Sequence, residues 1–261
     1  MPAASIPYLM YHELELPGRP LCQSEPGYVR YIISERAFRE QMLEIQRAGA
    51  RGVRVSDALS FPSSPAVAIT FDDGCETDLL YAAPILRELG FNATFFVTTG
   101  FLGKPGYMKP PQVHELDKLG FEIGCHSMTH PYLPDLDEGG LRREIVDAKQ
   151  ELEQITGHAV EHFSCPGGRY DERVIRIARE AGYKSLSTSR THANSCTTDP
   201  FQLGRFAVMR DTPIPAFRKL VQGQGLWALS LQASLLGGAK QLLGNSLYDR
   251  VRGLFLAPRG R

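Results

Sequence analysis

The sequence predicts an α/β fold organised around a parallel sheet. Short apolar runs recur along the chain and read as buried strands. Segments with helical spacing separate them, and this alternation is the signature of parallel pairing. Residues able to do chemistry fall just past the C-terminal ends of two of these runs, where barrel active sites gather. With 261 residues and 43% hydrophobic content, the chain can bury a sizeable core.

Seven strands are expected, over residues 6–11, 66–71, 93–97, 121–125, 162–165, 185–188 and 206–209. The first opens on the apolar run Ile6-Pro7-Tyr8-Leu9. The segment from Glu13 to Tyr31 follows directly, is rich in proline and glycine, and is expected to form a loop at the active-site rim. Phe38, Met42 and Ile45 share a helical face, as do Leu79, Ala83 and Leu86. Residues 99–111 carry several glycines and prolines and are expected as a second rim loop. Its Tyr107 and Met108 suit packing slightly better than contact with a ligand. Leu141, Ile145, Ala148, Leu152 and Ile155 follow helical spacing closely. Asp171 reads as the N-cap of the next helix and Gly182 as its stop.

Two motifs carry chemistry. Thr70-Phe71-Asp72-Asp73-Gly74 ends the apolar run Ala66-Val67-Ala68-Ile69 with two adjacent carboxylates. Two such charges repel and lose hydration at a strand end, and a bound divalent cation is the simplest compensation. A plain Asp-Asp-Gly turn is the competing reading of this stretch alone. Downstream, His126-Ser127-Met128-Thr129-His130 follows the strand-like Gly120-Phe121-Glu122-Ile123-Gly124-Cys125. Two histidines four apart meet on one side of a helical turn or tight loop, so both can face one ion. One aspartate and two histidines leave coordination positions open, which suits a catalytic metal better than a structural one.

On these two motifs, and on the intervening Ala93-Thr94-Phe95-Phe96-Val97, the chain resembles the polysaccharide deacetylases (the NodB-homology domain, carbohydrate esterase family 4) over roughly residues 6–220. The resemblance implies a distorted (β/α)7 TIM-like barrel. It implies that Asp73, His126 and His130 hold a divalent metal, zinc first among the candidates. Asp72 would be the general base for a water that the metal activates. The third motif corresponds to Phe163-Ser164-Cys165-Pro166-Gly167-Gly168. There the Gly167 N–H is the expected oxyanion donor, with Pro166 and Arg169 beside it in substrate binding.

The chain departs from the family in two places. An arginine that orients the catalytic aspartate is replaced by Ser164, and Arg169 is the nearest substitute in sequence. The fourth motif's aspartate and aromatic are missing from Lys184-Ser185-Leu186-Ser187-Thr188-Ser189. The family's C-terminal Leu-x-x-His, source of the general acid, has no counterpart after residue 170. Leu9-Met10-Tyr11-His12 fits that pattern at the other end of the chain. This is similar to the circularly permuted poly-N-acetylglucosamine deacetylases, and His12 is assigned as the acid. The competing reading is a surface histidine at a strand end.

Five cysteines do not form a disulfide framework, and the N-terminus lacks a basic region and a long apolar run, so a cytoplasmic protein is expected. Cys75, Cys125 and Cys165 each abut a motif. They read either as a cluster near the metal or, more simply, as small residues at crowded strand ends. A net charge of zero argues against a general polyanion binder, and no nucleic-acid partner is expected. From Arg205 onward the chain has nine basic and two acidic residues. The catalytic domain is expected over 1–220, with 221–261 a basic, partly apolar helical extension. That extension reads either as an ordinary helix packed across the barrel bottom or against another subunit, or as an amphipathic helix in peripheral contact with a cytoplasmic membrane face. The expected function is removal of N-acetyl groups from an amino-sugar glycan or lipid-linked sugar, with release of acetate. An O-acetyl esterase, a small amide hydrolase of the same fold, and a non-catalytic glycan-binding relative are the alternatives.

Overall fold

The computed structural model describes residues 5–61 and 65–224. The C-terminal extension and its membrane-surface reading lie outside the described residues beyond Gln224. A curled sheet of eight parallel strands forms the centre. Its order runs Ser185–Ser187, His162–Ser164, Glu122–Cys125, Thr94–Val97, Ala66–Phe71, Tyr8–Tyr11 and Phe206–Ala207. The seven predicted strands are all present. The eighth, Arg51–Val53, was not predicted. It is three residues long and pairs with the first half of Ala66–Phe71, whose second half pairs with Thr94–Val97.

The sheet curls towards closure through one short segment. Leu203 bridges to Ser187, and three residues later Phe206 pairs with Leu9 of the first strand. The first strand therefore lies between Ala66–Phe71 and the last strand. A histidine following it reaches the same end of the sheet as the two motifs.

Period-two alternation sorts the side chains. Leu9, Tyr11, Val67, Ile69, Phe71, Phe95 and Val97 belong to the larger core, shared with helix residues Phe38, Met42 and Ile45. Register places Tyr11 opposite Phe71 and Phe71 opposite Phe95, and these rings stack with centroids 5.3 and 4.9 Å apart. Each such pair adds about 0.5–1.5 kcal/mol beyond its area. The other face points into the curl. There Tyr8, Ala68, Phe96 and Leu203 form a second, smaller core. Gly124 is required beside it, because a Cβ would stand 2.4 Å from the Phe96 ring. Thr70 and Asp72 continue this inner face towards the open end.

The outer helices follow the sequence signals. Ser34 caps Glu35–Arg47 by accepting from the Ala37 N–H. Asp171 caps Glu172–Glu180 by accepting from Arg173 and Val174, and Gly182 follows it with φ of 80°. The long helical pattern spans Glu138–Arg142, Arg143–Asp147 and Ala148–Thr156, the middle piece with π geometry. A second π turn, Asp78–Ala82, precedes Ala83–Glu88. Each π turn buries an acidic residue, Glu144 in one and Asp78 in the other. Such turns are frequent at functional sites.

Candidate metal and active site

Asp72 and Asp73 end the strand Ala66–Phe71, where the Asp72 N–H still donates to Tyr11 O at 3.0 Å. Asp73 then turns the chain with φ of 81°, so the two carboxylates diverge despite being adjacent. His126 follows Glu122–Cys125, and its N–H donates to Val97 O. The segment to His130 is a tight loop rather than a helical turn, with positive φ at Ser127 and His130. Glu144 anchors that loop, accepting from the Met128 and Thr129 N–H groups and from the Thr129 hydroxyl.

The three predicted ligands converge. One ligand atom from each of Asp73, His126 and His130 lies within 4.8 Å of the others. His126 Nε2 and His130 Nε2 stand 3.6 and 3.5 Å from Asp73 Oδ1. His126 Nδ1 donates to Ser164 O at 2.8 Å, which fixes the tautomer and leaves Nε2 with a free lone pair. Burial pushes the His126 imidazole down to about 3 against the pull of Asp72, and His130 is lowered for the same reason. Both rings are thus neutral, the form that binds a metal. Asp73 Oδ1 is buried without a hydrogen-bond partner among the described residues. Burial, with repulsion from Asp72 and Glu13, pushes Asp73 up to about 6, although His12 and Arg205 pull the other way. An orphaned, poorly solvated carboxylate facing two neutral imidazoles fits a divalent cation.

Asp72 has a different environment. Arg205, 1% exposed, grips it with both ends of its guanidinium, Nη1 to Oδ1 at 2.7 Å and Nη2 to Oδ2 at 2.8 Å. The remaining donors go to Thr188 O, Thr70 Oγ1 and Ser164 Oγ. Burial alone would raise Asp72, but the Arg205 charge, aided by His126, holds it well below the usual carboxylate range. This corrects the expectation about Arg169. The orienting arginine comes from residue 205, entering from the far side of the sheet into the space that Ser164 leaves. Arg169 instead lies with its guanidinium 3.7 Å over the ring of Tyr132. The signal in the sequence was a lone arginine in the otherwise apolar Leu203-Gly204-Arg205-Phe206-Ala207-Val208.

These groups floor a cavity of about 1070 Å³. His12, Cys165, Gly167, Gly168, Arg169 and Tyr132 line its walls. His12 packs against Tyr31 with centroids 5.1 Å apart and ring planes tilted by 32°, and its Nδ1 is enclosed without a partner among the described residues. It is not a surface histidine. Burial lowers its pKa while Asp73 and Asp72 pull it back up. Gly167 has φ of 59°, and a Cβ there would meet the Tyr132 ring at 2.8 Å. Pro166 is buried behind this wall and starts the turn that carries Gly167. The insert after His12 forms the rim as expected, through Gln23, Tyr28, Arg30 and Tyr31. Residues 99–111 do not line the cavity, and Tyr107 and Met108 are buried in packing. The three motif cysteines do not form one ligand group among the described residues. Both Cys165 and Cys125 are buried; Cys165 borders the cavity, and burial pushes the Cys125 thiol up to about 12.

A cation-ready Asp-His-His set, with a second carboxylate clamped beside it at the mouth of a curled parallel sheet, defines the class: this is a hydrolase site. The comparisons name the family. The polysaccharide deacetylase profile matches residues 61–186. The chain is 26% identical over 211 residues to YxkH of Bacillus subtilis (strain 168), which carries the polysaccharide deacetylase name; the match covers 78% of this chain and 72% of that one. It is 34% identical over 121 residues to a peptidoglycan-N-acetylglucosamine deacetylase of Bacillus cereus, covering 46% and 54%. The chain spans about half the length of several curated relatives it matches. In fold it is similar to the Streptococcus pyogenes deacetylase PplD, solved in complex with acetate, with a TM-score of 0.73, 23% identity, and coverage of 84% of this chain and 99% of that one. Residues 61–186 thus carry a polysaccharide deacetylase domain, and the curled parallel sheet has the distorted (β/α)7 barrel fold of the deacetylase structures it resembles.

Proposed function

We propose that this protein is a metal-dependent hydrolase that removes N-acetyl groups from an amino-sugar glycan or glycolipid. The observation that carries the proposal is the division of labour between adjacent aspartates, one orphaned towards two imidazoles and one clamped by Arg205. Asp73, His126 and His130 would hold the divalent ion, zinc being the first choice for this donor set. When bound, it polarises the acetyl carbonyl and lowers the pKa of water.

The remaining roles belong to the chain. Asp72, kept ionised, accepts the proton of the attacking water, and Arg205 and Ser164 position its carboxylate. His12, on the opposite wall, donates a proton to the departing amine, which amide cleavage requires. The Gly167 N–H is the oxyanion donor, at a position where any side chain would strike Tyr132. Tyr132, 42% exposed and backed by Arg169, offers a flat surface to a sugar ring. The absent motif arginine was the argument for a non-catalytic relative, and Arg205 removes it.

Acetate release from N-acetylglucosamine oligomers tests this reading, with chelator and Asp72→Asn as controls. Activity should require metal, and Asp72→Asn should lower it by about 10²–10⁴-fold. Metal-dependent glycan affinity with no turnover would overturn it in favour of a binding protein. His12→Ala should cost more on the amide than on an O-acetyl ester, whose leaving group needs less protonation.

A further inference from the structure

Beside the proposed catalytic centre lies a second group of ligand-type side chains that the reaction does not use. Glu13 and Cys75 are fully buried and Cys22 is partly so. One ligand atom from each lies within 4.8 Å of the others, and the two sulfurs are 3.6 Å apart. We propose that Glu13, Cys22 and Cys75 hold a second transition-metal ion of the kind thiolates select, zinc foremost.

The geometry suits coordination. Two thiolates on one tetrahedral zinc, each at about 2.3 Å, stand about 3.8 Å apart, so this pair needs almost no movement. A disulfide would require closing to about 2.05 Å. The ligands are held in place from outside. Arg19 reaches the Glu13 carboxylate, Glu76 Oε1 and Gly106 O. The Cys22 N–H donates to Glu13 Oε2 at 2.9 Å, and the Tyr28 hydroxyl lies 3.1 Å from that oxygen and 3.5 Å from Cys75 Sγ. Such outer partners fix ligands around metals.

A separate observation points to a missing cation. Asp78 lies one turn beyond Cys75, its N–H bonded to Cys75 O at 3.1 Å. It is fully buried, and neither carboxylate oxygen has a hydrogen-bond partner among the described residues. A dication held next to Cys75 would place a polar partner near this otherwise unpartnered carboxyl group. The charges balance. The dication displaces one proton from each thiol to solvent, and Arg19 offsets Glu13. The consequence is mechanical, since Cys22 sits in the rim insert and Cys75 two residues beyond Asp73. The ion ties the substrate wall carrying Tyr28 and Tyr31 to the strand end that carries both catalytic carboxylates.

The test is a cobalt titration of the full chain after chelator treatment. Two equivalents should bind. One of them should bring a thiolate-to-cobalt charge-transfer band in the near ultraviolet, which an Asp-His-His site cannot give, with release of about two protons. Cys22→Ser should remove the band and one equivalent while the other remains, which also shows that the variant is folded. Asp78→Asn should weaken the thiolate-bound ion by about 10-fold or more. A single equivalent without the band overturns the proposal. So does loss of two titratable thiols reversed by dithiothreitol, which would make the pair a disulfide. None of these readouts depends on turnover, so failure of the deacetylase reading would leave the result intact.

Discussion

Arg205 uses every donor it has, on two oxygens of one carboxylate, two hydroxyls and a carbonyl. That satisfaction is what makes a buried ion pair tolerable. Arg205→Ser should therefore cost about 3–5 kcal/mol in a urea unfolding experiment, because Asp72 is left charged and alone. Activity should fall with it. Adding Ser164→Arg returns an arginine to the position the family uses, and should recover part of both losses. Recovery of stability without activity would separate positioning of Asp72 from simple charge compensation. A second, partly buried acid shapes the response to pH. Burial pushes Glu122 up, but His162, the Ser56 N–H and the Thr94 hydroxyl bring it down to about 2. Its folded pKa lies below its unfolded one, so its contribution is complete above about pH 4.3 and disappears as pH falls towards the folded value. The contribution is on the order of 3 kcal/mol, and Glu122→Gln should flatten the acid limb of the stability curve.

Among the elements, the loop of 126–130 does most to shape the site, and it is not held by its own backbone alone. Two of its residues have positive φ, each costing about 1–3 kcal/mol unless the surroundings enforce it. Glu144 enforces it from the π turn of a neighbouring helix. Glu144→Gln should lower metal affinity by about 10–100-fold in a chelator competition, with helix content unchanged. The two histidines were legible in the sequence because their spacing is local. Glu144 was not, because a glutamate bordering an apolar stripe looks like any solvated helix edge. The eighth strand escaped for a similar reason. Arg51-Gly52-Val53 has no apolar run, and only its partner makes it a strand.

Across the whole molecule, the sheet brings together residues 72, 73, 126, 130, 164 and 205 with histidine 12, and stability should report on the ion that Asp73, His126 and His130 are proposed to hold. Metal at a hundred times its Kd should add about 2.7 kcal/mol. Melting with and without chelator measures it, and Asp73→Asn should remove this ion's share of the difference. The other seven strands of the sheet and the site's floor could be read from sequence because each is a local pattern. The clamp on Asp72 could not, since its two halves lie 133 positions apart and only curling of the sheet joins them. That curl has a further consequence. The proposed cation grip draws on residues 73–130 alone, whereas the proposed proton donor and the arginine arrive beside the first and last strands of the sheet, at the seam where the ring shuts. A molecule whose seam has sprung would still capture its ion yet be unable to turn over substrate. Turnover therefore certifies that the circle is complete, and bound metal by itself does not.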